Sequence, residues 1–414
     1  MDVNLLSALS DDSLLPNQVN QRQLSIAVSA IASGSERNAP LNLCLILDHS
    51  GSMSGEPLET VKQAAQSLVD RLQASDRLSV VVFDHAAKVL IASQLAADTA
   101  KIKAQIGRLE PQGGTAIDQG MKLGIEQLAD QRQGKISQAF LLTDGENEHG
   151  DNQRCLQFAE LAASYNITLN AFGFGYHWNQ DILEQIADAG GGSLTFIERP
   201  EDAVNSFNAL FTRISSVGLT NAHLLFTFSP GVKLAELKPI AQVMPETVEL
   251  PVQSEGETAV VRIGDLLIDS PRKLLANLYI DPQPEGLPIL AYLQVRYDDP
   301  ASSKTSLLSE RIPITVKVSQ DYQPKPNPEV QQSILTLAKY RQTQIAEAKL
   351  NQGDRTGAAT MLQSAAETAL QMGDKNAATV LQANATRLQS GADLSESDRK
   401  KTRMASKTML QDNN

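Results

Sequence analysis

From residue 41 to residue 214, apolar runs alternate with segments of helical period. Leu43 to Leu47 is continuously apolar, the pattern of a strand buried on both faces of a parallel sheet. Runs at 41–47, 77–83, 137–143, 167–173 and 193–197 predict strands, with a short extra one at 87–91. Helical patterns fall between them, at about 58–73, 99–107, 116–132, 153–165, 180–189 and 201–214. Such alternation needs crossover connections, so it predicts an α/β doubly wound, mainly parallel sheet covered by helices on both faces. The 87–91 run follows its neighbour by three residues, room enough only for an antiparallel edge hairpin.

After Val217 the helical period stops. Segments 224–228, 259–263, 274–280, 289–297 and 312–318 read as strands between Pro, Gly and Asp turns, the signature of an antiparallel β-sandwich. An early stretch within residues 19–33, Gln23 to Val28, has the same half-buried alternation and no partner of its own. It is expected to join the sandwich, which makes the α/β domain an insertion. Residues 323–328 form a proline-rich linker, and beyond it the chain is helical and rich in Ala and Gln. Gly353-Asp354-Arg355 and Gly373-Asp374-Lys375 form a partial repeat in which Gly-Asp ends one helix and caps the next. The expected division is 1–40 (an N-terminal segment lending its strand to the sandwich), 41–215 (α/β), 216–320 (sandwich) and 321–414 (helical), with Lys400 to Asn414 fraying.

Composition narrows the function. The chain has 414 residues, 42% hydrophobic and 20% charged, which suits a globular protein of more than one domain. A net charge of -12, a pI near 5.0 and the lack of a basic stripe with interleaved aromatics argue against nucleic acid as partner. Met1 to Arg22 lacks a basic segment leading into an apolar core, so no secretory signal is expected. No stretch approaches the roughly 18 to 20 apolar residues of a membrane helix, so no membrane insertion is expected. The two cysteines, Cys44 and Cys155, read as free thiols, and a cytoplasmic, bacterial-type protein is the expectation.

The chemistry concentrates in Leu45-Ile46-Leu47-Asp48-His49-Ser50-Gly51-Ser52-Met53. A buried strand runs into a polar loop bearing oxygen side chains at i, i+2 and i+4, at the strand end where α/β sheets place ligands. Asp144 follows another strand in the same way, and Thr115 sits on a glycine loop directly before a helix. Two carboxylates and three hydroxyls are hard donors, which select Mg²⁺, Ca²⁺ or Mn²⁺ over Zn²⁺ or Cu²⁺. With hydroxyls as ligands the cation keeps its electrophilicity, and an outside carboxylate completes the octahedron.

Asp48-x-Ser50-x-Ser52, Thr115 and Asp144, in this order and with these intervening elements, resemble the complete metal-ion-dependent adhesion site of the von Willebrand factor A family. The resemblance covers about residues 40–214. It implies that Ser50, Ser52 and Thr115 are direct or conditional ligands and that Asp48 and Asp144 bind directly or through water. It also implies a non-catalytic, divalent-cation-dependent protein-interaction module that grips an Asp or Glu of a partner protein. His49 occupies an unconstrained position and is expected to be solvent-exposed.

Neighbouring residues are secondary candidates. Glu146, Asn147, Glu148 and Asp151 form an acidic loop that either tunes the site, holds a second Ca²⁺ or is simply solvated, the last being favoured. Tyr176, in Gly173-Phe174-Gly175-Tyr176-His177-Trp178, is a candidate for a partner surface or a packed turn. Gly51 to Gly55 has Met53 where a nucleophile elbow needs serine, and no phosphate loop is present. The alternative to an adaptor is a cation sensor in which Ca²⁺ or Mg²⁺ occupancy changes the domain arrangement. Metal-assisted hydrolysis would need a base, for which Glu146 and Glu148 are the weak candidates.

Overall fold

The computed structural model describes residues 1–32, 39–175 and 178–407. Strands β1 (Asp2–Leu9) and β2 (Asn20–Ile31) open the chain as an antiparallel pair. The α/β domain follows, with β3 (Leu41–Asp48), α1 (Glu56–Val69), β4 (Arg77–Phe83), β5 (Ala87–Leu95), α2 (Thr99–Gly107) and α3 (Ile117–Ala129). It continues through β6 (Ile136–Thr143), α4 (Asn152–Ser164), β7 (Ile167–Phe174), α5 (Gln180–Ala189), β8 (Gly191–Ile197) and α6 (Ala203–Ser215).

The sheet order is β5-β4-β3-β6-β7-β8, parallel except for the β4–β5 hairpin. Alternate residues of β3 enter two separate cores, because successive side chains in a strand point to opposite faces. Leu43, Leu45 and Leu47 pack with α1, α2 and α6, while Cys44 and Ile46 pack with α3, α4 and α5. Chain order reverses at β3, with β4 on one side and β6 on the other, so the topological switch point lies at Asp48. Both cysteines are free and buried.

The second unit holds the long strands β9 (Val217–Phe228), β10 (Thr258–Leu267), β11 (Arg272–Ile280) and β12 (Ile289–Asp299). β1, β2 and β11 belong to one six-stranded antiparallel sheet, and β9, β10 and β12 to another. β2 pairs antiparallel with β11, from Asn20 opposite Ile280 to Val28 opposite Arg272. Leu24, Ile26, Val28, Leu274 and Leu278 from one sheet share a core with Leu224, Phe226, Val261, Leu293 and Val295 from the other. Sequence periodicity overlooked β1 and the short strands Ile240–Met244 and Lys304–Leu308. β1 is an edge strand whose burial is only partial, which blurs its alternation.

Four helices end the chain: α7 (Pro328–Asn351), α8 (Arg355–Gln371), α9 (Lys375–Gln389) and α10 (Glu396–Lys407). α7 covers the outer face of the first antiparallel sheet, with Val330, Leu337 and Tyr340 against Ala241, Val243 and Leu275. The Gly-Asp repeat works as its letters suggest. Gly353 and Gly373 have φ of 80° and 79°, a left-handed turn that costs glycine little, and Asp354 and Asp374 cap α8 and α9. The expectation that the end frays is corrected for residues 400–407. α10 is docked, with Lys400, Ser406 and Lys407 buried, and residues 408–414 lie outside the described residues.

Candidate metal centre

Asp48 ends β3, the central strand, and is fully buried. Its Oδ1 accepts a hydrogen bond from the Ser50 amide at 2.8 Å, which turns the chain sharply out of the sheet. Its Oδ2 accepts from Thr143 Oγ1 at 2.5 Å, a donor on the adjoining strand β6. Ser50 Oγ lies 3.0 Å from Ser52 Oγ, and Ser52 Oγ donates to Asp144 Oδ1 at 2.8 Å. Two separate loops are thereby joined through hydroxyls. A Cβ built on Gly145 would lie 3.4 Å from Thr115 Oγ1 and 3.8 Å from Ser52 Oγ, so Thr115 faces the same spot. All five residues singled out in the sequence border one small region at the C-terminal edge of the sheet.

Backbone bonds hold the three loops in place. Gly51 N donates to Gly113 O at 2.9 Å, and Gln112 N to His49 O at 2.7 Å, tying the Thr115 loop to the Asp48 loop. His149 N donates to Thr115 O at 2.9 Å, and Ile117 N to Asn147 Oδ1 at 2.7 Å, tying it to the Asp144 loop.

The electrostatics are one-sided. Burial pushes the Asp48 carboxyl up to about 6, and the nearby Asp144 carboxylate pushes the same way. Hydrogen bonds from Thr143 and Ser50 oppose this without cancelling it. Among the described residues no three His, Cys, Asp or Glu side chains cluster as a metal site. This cluster has two carboxylates, and its other oxygens are hydroxyls.

Several surrounding residues depart from expectation. His49 is buried at 2% exposure, not solvent-exposed, with Nδ1 2.9 Å from Glu110 O and Nε2 3.7 Å from Asp84. The loop after α2, with Glu110, and the loop after β4, with Asp84, close over it, which the sequence pattern does not reveal. Glu146 and Glu148 are exposed, as a solvated loop would be. Asp151, by contrast, caps α4 by accepting from the Gln153 and Arg154 amides. Tyr176 lies outside the described residues, whereas Trp178 is buried, with its Nε1 donating to Gly175 O at 2.8 Å. Sequence reading missed Thr143 and took Asn147 only as part of the acidic loop, not as the side chain that ties it to the Thr115 loop. A hydroxyl as the last strand residue before Asp144, next to the Asp48 strand, was the available signal for Thr143.

Comparison with known proteins places the fold in a family. Over 412 residues the chain is 58% identical to the uncharacterized protein sll0103 of Synechocystis sp., covering 99% of this chain and 98% of that one. Residues 42–210 match the von Willebrand factor type A domain, and residues 328–412 the Sll0103-like C-terminal alpha-helical domain. The chain belongs to the Sll0103-like family of von Willebrand factor type A proteins. Human inter-alpha-trypsin inhibitor heavy chain H4 is 25% identical over 231 residues, 53% of this chain and 25% of that one. In structure, a von Willebrand factor type A protein from Catenulispora acidiphila superimposes with a TM-score of 0.83 at 18% identity, covering 98% of this chain and 97% of that one. The Sll0103-like arrangement of α/β, antiparallel and helical units is therefore a fold shared across very different sequences. Von Willebrand factor type A domains commonly mediate metal-dependent protein interactions.

Proposed function

We propose that the C-terminal edge of the parallel sheet holds one divalent cation, Mg²⁺ or Ca²⁺, and through it binds an Asp or Glu carboxylate of a partner protein. Asp48, Ser50, Ser52, Thr115 and Asp144 are the residues that would hold the ion. When bound, the ion supplies a Lewis-acidic position for an incoming carboxylate. The observation that carries the reading is the hydroxyl bridge from Ser50 through Ser52 to Asp144, beside a buried Asp48 whose charged neighbour is another carboxylate. Two neighbouring carboxylates, Asp48 fully buried and Asp144 half-buried, favour a cation between them. Hydroxyls and carboxylates without thiolate or imidazole suit a hard ion.

In this reading the protein is an adaptor and not an enzyme. Glu146 and Glu148, the candidate bases, are exposed on the rim. The two antiparallel sheets act as a sandwich-type base, joined to the α/β domain at the opposite ends of its strands. The test is capture of partners from the native host on the immobilised full chain. Partners should bind in Mg²⁺ and be lost in EDTA and with Asp48→Ala. Capture that is indifferent to both would refute the reading.

A further inference from the structure

A cleft of about 330 Å³ opens where the α/β domain meets the sheet of β9, β10 and β12, within the size range of small-molecule sites. It lies at the N-terminal ends of β6 and β7, opposite the edge that carries the candidate metal centre. The α/β domain lends it the turns at 132–135 and 165–166, which lead into those strands, and the other domain lends the hairpin at 298–305. The two domains touch at its rim. Gly134 has φ of 68°, and a Cβ built on it would lie 2.9 Å from Ser303 Oγ, so glycine is needed there for the hairpin to approach.

The carboxylates that line the cleft are engaged within the fold. Asp298 accepts from Asn166 and Asn221 Nδ2 at 3.3 and 3.0 Å and from the Ser306 amide at 2.8 Å. Asp299 holds the Met1 ammonium at 3.3 Å and accepts from Ser302 Oγ at 2.8 Å and the Ala301 amide at 3.1 Å. The cations are not so engaged. Among the described residues Arg132, Lys135 and Lys304 have no carboxylate partner. The Arg132 guanidinium lies 4.7 Å from the centre of the Tyr165 ring, and Lys135 Nζ reaches only the Gln133 carbonyl, at 3.5 Å. Thr220 of β9 lines the cleft at 6% exposure, and its hydroxyl has no hydrogen bond among the described residues. Asp298 and the C-terminal partial charges of α3 and α4 offset about two of the three cations, so the balance stays positive in a chain of net charge -12. Donors are left over, and what the cleft lacks is an acceptor.

We infer that this cleft binds a small phosphorylated molecule, with Arg132, Lys135 and Lys304 holding the phosphate. A planar guanidinium fork and two ammonium groups suit the charge and the several oxygens of a phosphate dianion better than a single carboxylate. Thr220 Oγ1 donates to the same group from the buried side. The cleft is larger than a phosphate needs, which leaves room for an organic frame beside Tyr165, itself 36% exposed. Because its walls come from both domains, an occupant bridges the 132–135 turn and the 298–305 hairpin. The site does not depend on the metal centre at the opposite strand ends.

Inorganic pyrophosphate is the probe, titrated calorimetrically into the full-length chain in EDTA at fixed ionic strength, so that the metal reading plays no part. One saturable site is expected, about tenfold or more tighter than for acetate. Arg132→Gln with Lys135→Gln should weaken it about tenfold, whereas Lys88→Gln with Lys101→Gln, exposed cations outside the cleft, should leave it unchanged. Without any variant, pyrophosphate should slow the acetylation of Lys135 and Lys304, read by mass spectrometry, and leave that of Lys88 and Lys101 as it was. No saturable uptake, equal weakening by both pairs of substitutions, or acetylation of Lys135 and Lys304 indifferent to pyrophosphate would each overturn the inference.

Discussion

The central strands carry polar clusters at both ends, and the two clusters follow opposite electrostatic plans. At the N-terminal ends, Gln138 and Thr168 donate to Asp265 Oδ2 at 2.8 and 2.7 Å, and Asn170 donates to Gln138 Oε1 at 3.1 Å. The Asp265 carboxylate bears on buried Arg262 and Arg272 and opposes the effect of their burial, while Arg213 adds a further cation beside Arg272. That cluster joins two domains and sets charges of both signs beside one another. At the C-terminal ends, Asp48 has comparable hydrogen bonds, yet the charge that bears on it is Asp144's, of the same sign. A cluster holding both signs needs no further ion; in the proposed function the acidic one takes a cation. Hydrogen bonding alone would not separate the two, since both are well supplied with it.

The largest effect that would sharpen this contrast is at the N-terminal ends of the strands. Asp265→Ala leaves the Gln138 amide and the Thr168 hydroxyl without their acceptor and Arg272 without one of the two carboxylates that bear on it, and should cost about 3 kcal/mol in urea unfolding. If that change were nearly neutral, the lower cluster would not be the structural joint described. At the other end, Asp48→Asn should leave unfolding in EDTA within about 1 kcal/mol of the unaltered chain, because the amide still accepts from Ser50 and the like-charge pair is gone. The same substitution in Mg²⁺ should remove the cation-dependent rise in melting temperature. Thr143→Val should act more gently, weakening cation affinity about tenfold while the five candidate ligands remain, since Thr143 orients Asp48 from outside. A Thr143→Val chain with unchanged affinity would mean that Asp48 needs no such support.

Much of this was legible in the letters, for physical reasons that differ by region. The parallel strands announce themselves because both faces are buried, so Leu43 to Leu47 has no polar interruption. Asp48, Ser50, Ser52, Thr115 and Asp144 were readable because strand-end loops of such a sheet converge on one edge, whatever their separation along the chain. The burial of His49 was not readable, because it results from Glu110 and Asp84 arriving from other loops. Nor was the docking of α10, whose charged sequence looks like a solvated end until α5 supplies the complementary carboxylates. Periodicity reports apolar burial; it is blind to a helix held by ion pairs.

The most direct test of the central claim is a calorimetric titration of Mg²⁺, with Ca²⁺ and Mn²⁺ in parallel, into the chelator-stripped full-length chain and its Asp48→Ala variant. One saturable site in the unaltered chain, absent from a variant with the same circular dichroism, is the result expected. Equal uptake by both chains, or no saturable uptake of any of the three ions, would contradict it.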